Sequence, residues 1–293
     1  MTLPTLIQIC DPSRSPNAPL GPAVTWAERL ERLRGMLASL GSVVVAYSGG
    51  VDSSLVLRVA HQVLGERARG VIGRSDSYAA RELALALEQA ASFGAPIEVV
   101  TTGELLDPDF ASNPLQRCYT CKSALYRELA TVAARVGAAA ILDGTIADDL
   151  ADFRPGRRAA AERGVRSPLA ELGFTKADVR AAAAHLGLKA HDKPASPCLA
   201  SRIPYGIEIT RENLSMVERG EALLHRLGFT DLRLRHHGDT ARIEVPLDQL
   251  ARLTEPAMRA RVVEGLKALG YRYVTLDLEG FRSGNLNPGP DSS

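Results

Sequence analysis

Ser42-Val43-Val44-Val45-Ala46-Tyr47-Ser48-Gly49-Gly50-Val51-Asp52-Ser53-Ser54-Leu55 decides how the rest of this chain reads. The β-branched apolar run Ser42–Tyr47 reads as a buried strand. Leu55-Val56-Leu57-Arg58-Val59-Ala60 reads as the start of a helix. A strand, a glycine turn and a helix N-terminus make an anion site, because free backbone N–H groups and the helix dipole face the same point. Gly49 and Gly50 allow the tight turn and the close approach of a phosphate. Ser48, Ser53 and Ser54 add hydroxyl donors, and Asp52 can cap the helix or hold Mg²⁺. This is not the Walker loop, which needs a Lys before Ser/Thr and longer glycine spacing. The plainer alternative is a Ser/Gly turn with a capping Asp and no phosphate. The order strand, loop, helix weighs against it, since all three stand where a phosphate site needs them.

On either side of this segment the chain alternates. Strand-like runs at residues 42–47, 70–73, 97–101 and 138–142 are separated by helix-like runs at 53–64, 78–93, 121–136 and 175–186. Residues 25–40 carry helical apolar spacing at Trp26, Leu30, Leu33 and Leu37. The alternation predicts a doubly wound parallel sheet, an α/β domain covered by helices on both faces. Ligands in such sheets sit beyond the carboxyl ends of the strands, where Ser48 falls. After Pro204 the pattern becomes helix (210–227), two strands (231–237 and 241–246), helix (255–269) and strand (271–277), which predicts a smaller α+β domain. The expected division is a flexible lead-in over 1–24, the α/β domain over 25–206, the α+β domain over 207–282 and a disordered tail over 283–293.

A chain of 293 residues suits two domains. Its net charge of +1 offers no general electrostatic attraction for nucleic acid or a membrane surface. No run of about 18 uncharged apolar residues suggests a membrane span, and no basic-then-apolar leader is seen. A cytoplasmic protein is expected. Four cysteines in this length are not a disulfide framework. Cys118-x-x-Cys121 then reads as metal or redox chemistry, and Cys10, in the lead-in, as incidental.

A second chemical motif is Asp143-Gly144-Thr145-Ile146-Ala147-Asp148-Asp149-Leu150-Ala151-Asp152, which follows an apolar strand. Carboxylates beside a phosphate loop can bind Mg²⁺ or hold cationic side chains. A solvated acidic loop is the alternative. Arg154, Arg157, Arg158, Arg163 and Arg166 follow, with Arg154 the best placed for an anion. A third is Lys193-Pro194-Ala195-Ser196-Pro197-Cys198-Leu199-Ala200-Ser201-Arg202-Ile203-Pro204-Tyr205-Gly206. Its prolines stiffen the loop. Cys198 near Arg202 is either a reactive thiol or a small buried hydrophobe. In the last third, Arg233 and Arg235 share one strand face, while His236 and His237 point to opposite faces and make no convincing metal pair.

The S-G-G-x-D-S loop resembles that of enzymes that split ATP into AMP and pyrophosphate. P-C-L-A-S-R-I-P-Y-G, R-C-Y-T-C-K and D-G-T-x-x-D-D-x-x-D-x-R-P-G narrow the resemblance to the LarE family, over about residues 42–246. These are ATP-dependent sulfur transferases that make the nickel-pincer nucleotide cofactor of lactate racemase. The resemblance implies adenylation of a carboxylate of pyridinium-3,5-biscarboxylic acid mononucleotide and its conversion to a thiocarboxylate. It implies ATP contacts at Ala46, Ser48, Gly49, Gly50, Asp52, Ser53, Gly144, Thr145 and Asp149, with Mg²⁺ at Asp52 and Asp149. It implies substrate contacts at Ser201, Arg202, Arg233 and Arg235, where matching arginines are candidates for the substrate phosphate. Ile146 replaces the family's usual Asn, removing a side-chain amide at that point.

In the single-cysteine branch, the Cys matching Cys198 gives up its own sulfur and becomes dehydroalanine. Here Cys118, Cys121 and Cys198 match instead the branch with a [4Fe-4S] cluster, whose open iron could carry a hydrosulfide. A redox pair at Cys118 and Cys121, or inert thiols, remain open, and the sulfur donor is not identified. A homo-oligomer is expected. The rivals are a tRNA thiolase, which needs a basic surface that the net charge does not suggest, and a non-catalytic ATP-binding module with a structural zinc, which normally wants four ligands.

Overall fold

The computed structural model describes residues 24–150, 155–193 and 196–282. Helix α1 (Trp26–Leu40) starts at a capping box in which Thr25 and Glu28 bond reciprocally. Strand β1 (Val43–Ala46) then enters the turn and leads to α2 (Val51–Leu64). Next come β2 (Ala68–Arg74), α3 (Ala80–Ser92), β3 (Ile97–Thr101), a short α4 (Pro108–Ala111) and the long α5 (Arg117–Val136). Strand β4 (Ala140–Leu142) is followed by α6 (Pro155–Glu162), α7 (Pro168–Glu171) and α8 (Lys176–His185).

The first sheet is wholly parallel, in the order β3-β2-β1-β4. All four residues of β1 are buried, as the continuous apolar run requires. Alternate residues serve opposite layers. Val43 and Val45 pack with Leu30, Leu33 and Leu55 from α1 and α2, and with Val179 from α8. Val44 and Ala46 pack with Tyr126, Leu129 and Ala159 from α5 and α6. This is the doubly wound α/β arrangement that the alternation predicts. The chain builds outward from β1 through β2 to β3, then crosses to place β4 on the other side of β1. The loops after β1 and β4 therefore part at a topological switch point.

The second sheet, in the order β5-β6-β7, comprises β5 (Arg233–His237), β6 (Thr240–Glu244) and β7 (Tyr273–Leu276). The first pair is antiparallel and the second parallel. Helices α9 (Arg211–Arg226) and α11 (Pro256–Ala268) cover it, with a short α10 (Leu250–Thr254) between. Leu224, Leu234, Ile243 and Leu266 form its separate apolar core.

Some elements depart from expectation. Helix α5 begins at Arg117 rather than Cys121, so both thiols lie within the helix; its N-cap, Gln116, makes no side-chain cap and leaves no local start signal. Asp231 and Leu232 lie outside β5. Helices α4, α6, α7 and α10 are additions. Cys10, Asp152, Arg154, the lead-in and the tail, all read in the sequence, lie outside the described residues. Among the described residues no helix is long and apolar enough to cross a membrane.

Candidate active site

Gly49 makes the turn after β1 at φ 68°, and a Cβ there would lie 2.5 Å from that of Ala86 on α3. Only glycine combines that dihedral with that contact. Gly50 is the N-cap of α2 without a side-chain cap of its own. The turn is held from within. Ser53 Oγ accepts from the Ser48 amide at 3.2 Å and lies 3.1 Å from Ser48 Oγ, while the Ser54 hydroxyl donates to the Gly50 carbonyl at 2.7 Å. Tyr78 steadies it from outside, donating to the Ser48 carbonyl at 2.9 Å. Asp52 falls in the first turn of α2, where a carboxylate meets the positive end of the helix dipole. It does not cap the helix.

The loop after β4 lies directly on this turn. A Cβ on Gly144 would meet the Ser53 amide nitrogen at 2.7 Å, so the two backbones touch. The acidic residues divide the work. Asp143, buried, accepts from the Thr145 amide and hydroxyl (3.0 and 2.9 Å), the Ser167 hydroxyl (2.7 Å) and the Tyr126 hydroxyl (3.2 Å). Both its oxygens are thus spent on anchoring the loop. Asp148 accepts from the Lys176 amide at 2.8 Å, and Asp149 from the Ile146 amide at 3.1 Å. Ile146 is buried in the apolar core, consistent with a side chain that packs rather than donates. Lys176, absent from the sequence motifs, places Nζ 2.8 Å from both oxygens of Asp52.

The three cysteines converge from two elements. Cys118 and Cys121 stand one turn apart at the start of α5, and Cys198 precedes a turn of 3₁₀ helix at Leu199–Arg202. All three are free thiols, and each of the α5 thiols feels the charge of Cys198. A helix N-terminus ordinarily favours thiolate, but here desolvation wins. Burial, followed by the Glu104 carboxylate, pushes the Cys121 thiol well above its usual range. Cys118 is also raised, chiefly by desolvation, although its side chain reaches solvent. Glu104 is buried, accepts from the Ser77 hydroxyl at 3.1 Å and lies 3.9 Å from Cys121 Sγ.

Among the described residues no three Cys, His, Asp or Glu side chains stand close enough to hold a single metal ion. A tetrahedral ion with Zn–S bonds of about 2.3 Å needs sulfurs in mutual contact; an iron–sulfur cube spreads its three thiolates over separate irons. A bound metal would also supply what these protonated thiols lack, by drawing off their protons.

Arg202 fixes the Cys198 loop. It is buried, forms a bidentate pair with Glu221 (2.9 and 3.1 Å), and donates to the carbonyls of Pro197 (2.6 Å) and Cys198 (3.1 Å) and to Ser201 Oγ (3.0 Å). Arg235 is likewise buried against Glu244, at 2.9 Å twice, and donates to the Ser201 carbonyl at 2.8 Å. Both guanidiniums are thus committed to protein partners. Arg233, its guanidinium over the Phe281 ring, lines a cavity of about 630 Å³ together with Cys198, Arg202, Tyr78 and Lys193. Burial, and next the neighbouring Arg202, lowers Arg233 to about 10. The cavity wall carries both signs of charge, Lys193 and Arg202 being paired there with Glu82 and Glu221 at 2.7 and 2.9 Å.

No protein-family model matches the chain. It is 46% identical over 259 residues to an uncharacterized Synechocystis protein, slr1717, covering 88% of this chain and 97% of that one. It is 41% identical over 264 residues to the pyridinium-3,5-bisthiocarboxylic acid mononucleotide synthase of Lactiplantibacillus plantarum, covering 90% and 95% of the two chains. An uncharacterized protein of Methanocaldococcus jannaschii, MJ0830, is 26% identical over 241 residues, or 82% and 91% of the two chains. The 41% identity to the Lactiplantibacillus plantarum synthase over nearly the whole of both chains shows that this protein belongs to the LarE family, that of the pyridinium-3,5-bisthiocarboxylic acid mononucleotide synthase.

Proposed function

We propose that this enzyme is an ATP-dependent sulfur transferase acting on pyridinium-3,5-biscarboxylic acid mononucleotide; its 41% identical relative is named as the synthase of the corresponding bisthiocarboxylic acid mononucleotide. The observation that carries the reading is the meeting of the Ser48–Ser53 turn and the Asp143–Asp149 loop at the switch point of the sheet, with Cys198 on the wall of a neighbouring cavity.

ATP lies with its phosphates on the turn, near Ala46, Ser48, Gly49, Gly50, Asp52 and Ser53, and against Gly144, Thr145 and Asp149. Asp52 and Asp149 are the residues to hold Mg²⁺. A substrate carboxylate oxygen attacks the α-phosphorus and pyrophosphate leaves; the backbone amides of the turn orient and neutralise the charge, and no protein nucleophile is needed. Sulfur then displaces AMP from the acyl adenylate. A cavity of about 630 Å³, with Arg233 on its wall, is in the range for a small ligand, and Arg233 is the residue we assign to the substrate phosphate. Ser201, Arg202 and Arg235 act by holding the Cys198 loop and the cavity wall.

Cys118, Cys121 and Cys198 are the residues to hold a [4Fe-4S] cluster, whose chemistry would be to present inorganic sulfide at a fourth iron. Without it, Cys198 is the sulfur source and is consumed. The reading carries with it a role in lactate racemase maturation, a homo-oligomer and a cytoplasmic setting. The test is pyrophosphate and AMP release on mixing with ATP, Mg²⁺ and the mononucleotide. Equal release with and without the mononucleotide, or release driven by tRNA instead, refutes it.

A further inference from the structure

Between β2 and α3 the chain runs Ser75-Asp76-Ser77-Tyr78-Ala79-Ala80, and this short segment is tied to distant parts of the site. The Tyr78 hydroxyl donates to the Ser48 carbonyl of the phosphate turn at 2.9 Å. The Ser77 carbonyl accepts from the amide of Leu199, next to Cys198, at 2.8 Å. The Ser77 hydroxyl donates to Glu104, the carboxylate beside Cys121, at 3.1 Å. The Ala80 amide donates to Glu218 of α9 at 2.7 Å. Helix α3 has no side-chain cap of its own, so a helix of the second domain supplies an acceptor that its first turn lacks. Tyr78, Ala79 and Ala80 also line the cavity that holds Cys198 and Arg233.

The bond from Tyr78 bears on how the turn meets an anion. A peptide unit is planar and trans, so its C=O and N–H point in opposite directions. A Ser48 carbonyl held by Tyr78 therefore fixes the Gly49 N–H the other way. Gly49 stands at φ 68°, and a glycine leaves that peptide free to rotate unless something holds it. The hydroxyl is what holds it. The same residue is thus bonded to the phosphate turn and placed on the wall of the neighbouring cavity.

We propose that Tyr78 is a positioning residue that couples the two sites: a mononucleotide seated in the cavity steadies the Tyr78–Ala80 segment, the hydroxyl keeps the Ser48–Gly49 peptide in one orientation, and the Gly49 N–H stays aimed at the nucleotide phosphates. The inference rests on the ATP and mononucleotide reading above. Linkage makes the effect reciprocal, so that a nucleotide on the turn tightens the mononucleotide by the same factor.

The probe is α,β-methylene-ATP with Mg²⁺, whose carbon bridge prevents release of pyrophosphate. Calorimetry on the full chain measures the analogue alone, the mononucleotide alone, and each in the presence of saturating amounts of the other, for the wild type and Tyr78→Phe. In the wild type each ligand should tighten the other by about tenfold, an ordinary coupling between sites. Tyr78→Phe keeps the ring and loses only the hydroxyl. It should bind the analogue alone about two- to tenfold more weakly, the scale of one neutral hydrogen bond. It should bind the mononucleotide alone as the wild type does, and the coupling should fall to less than about twofold. General loss of structure would weaken the mononucleotide as well, and a purely structural tyrosine would leave the coupling factor unmoved. The wild type needs no variant to fail: two ligands that bind independently overturn the inference and leave the ATP reading standing. Undiminished coupling in Tyr78→Phe, or a mononucleotide weakened as much as the analogue, overturns it too. If the wild type binds neither the analogue nor Mg-ATP, or does not bind the mononucleotide, the functional reading fails and this inference with it.

Discussion

Replacing Gly49 with Ala tests whether the turn after β1 is braced against α3 as the geometry requires. The added Cβ meets two costs. At φ 68° an L-residue pays about 1–2 kcal/mol for the left-handed backbone. The same Cβ would lie 2.5 Å from Ala86 Cβ and 3.0 Å from Ala86 Cα, where carbon atoms prefer about 3.5–4.0 Å. One side must give way, at a cost of about 1–3 kcal/mol for overpacking a filled site. The variant should therefore lose about 2–5 kcal/mol. Ala86→Gly removes the Cβ contact but not the dihedral cost, and by itself costs about 0.5–1 kcal/mol in a helix. The double variant should thus be less destabilised than the sum of the singles, by about 1–2 kcal/mol. Urea unfolding of the four proteins supplies the cycle, and pyrophosphate release from the folded fraction reports the turn itself. Strictly additive free energies, or a Gly49→Ala enzyme of full stability and full rate, would refute the bracing.

Asp52→Asn and Ser53→Ala should each cut pyrophosphate release by about a hundredfold, the scale for losing a group that stabilises developing charge, with unfolding curves little changed; wild-type rates in both would sink the ATP site. Arg235→Ala should cost about 3–5 kcal/mol of stability, since it strips the buried Glu244 of its bidentate partner, toward the low end because Arg242 stays 3.3 Å away. Arg233→Ala should cost less stability than Arg235→Ala, its guanidinium packing on Phe281 and donating to the Leu232 carbonyl rather than neutralising a fully buried carboxylate, and should weaken mononucleotide binding more than ATP binding; the opposite pattern in either variant contradicts these roles. Burial raises Cys118 and Cys121 and raises Tyr47 to about 12, so the folded state keeps these protons longer than the unfolded one. Their contribution should be fully present below the unfolded thiol range of about 8.5 and decline as pH rises through it toward the folded values; stability that climbs between pH 9 and 11 would contradict the sign.

What the sequence makes legible here is what is local. A β-branched run, a pair of glycines and helical periodicity are neighbours in the chain, so the turn and its sheet could be read directly. The Thr175–Asp178 cap was equally readable and places Lys176 at a helix start, but nothing local tells that its side chain reaches a partner 124 residues back. The same holds for the arginines. Alternation puts Arg233 and Arg235 on one face, yet only Glu244 on β6 and the Ser201 carbonyl decide that Arg235 is buried and paired. The acidic run looked uniform, and only the hydroxyls of Tyr126 and Ser167 single out Asp143 as an anchor. Convergence of Cys198 with Cys118 and Cys121 rests on contacts far apart in sequence, among them the three carbonyls of Ile203, Pro204 and Ile207 that face the Asn113 side-chain amide within 3.3 Å.

The most direct measurement follows the small molecule. Anaerobically purified enzyme is mixed with ATP, Mg²⁺, sulfide and pyridinium-3,5-biscarboxylic acid mononucleotide, and the products are resolved by mass spectrometry. Thiocarboxylate should form in step with AMP and pyrophosphate, and should vanish in Cys198→Ala. ATP cleavage without exchange of oxygen for sulfur in the mononucleotide, or undiminished thiocarboxylate from Cys198→Ala, would contradict it.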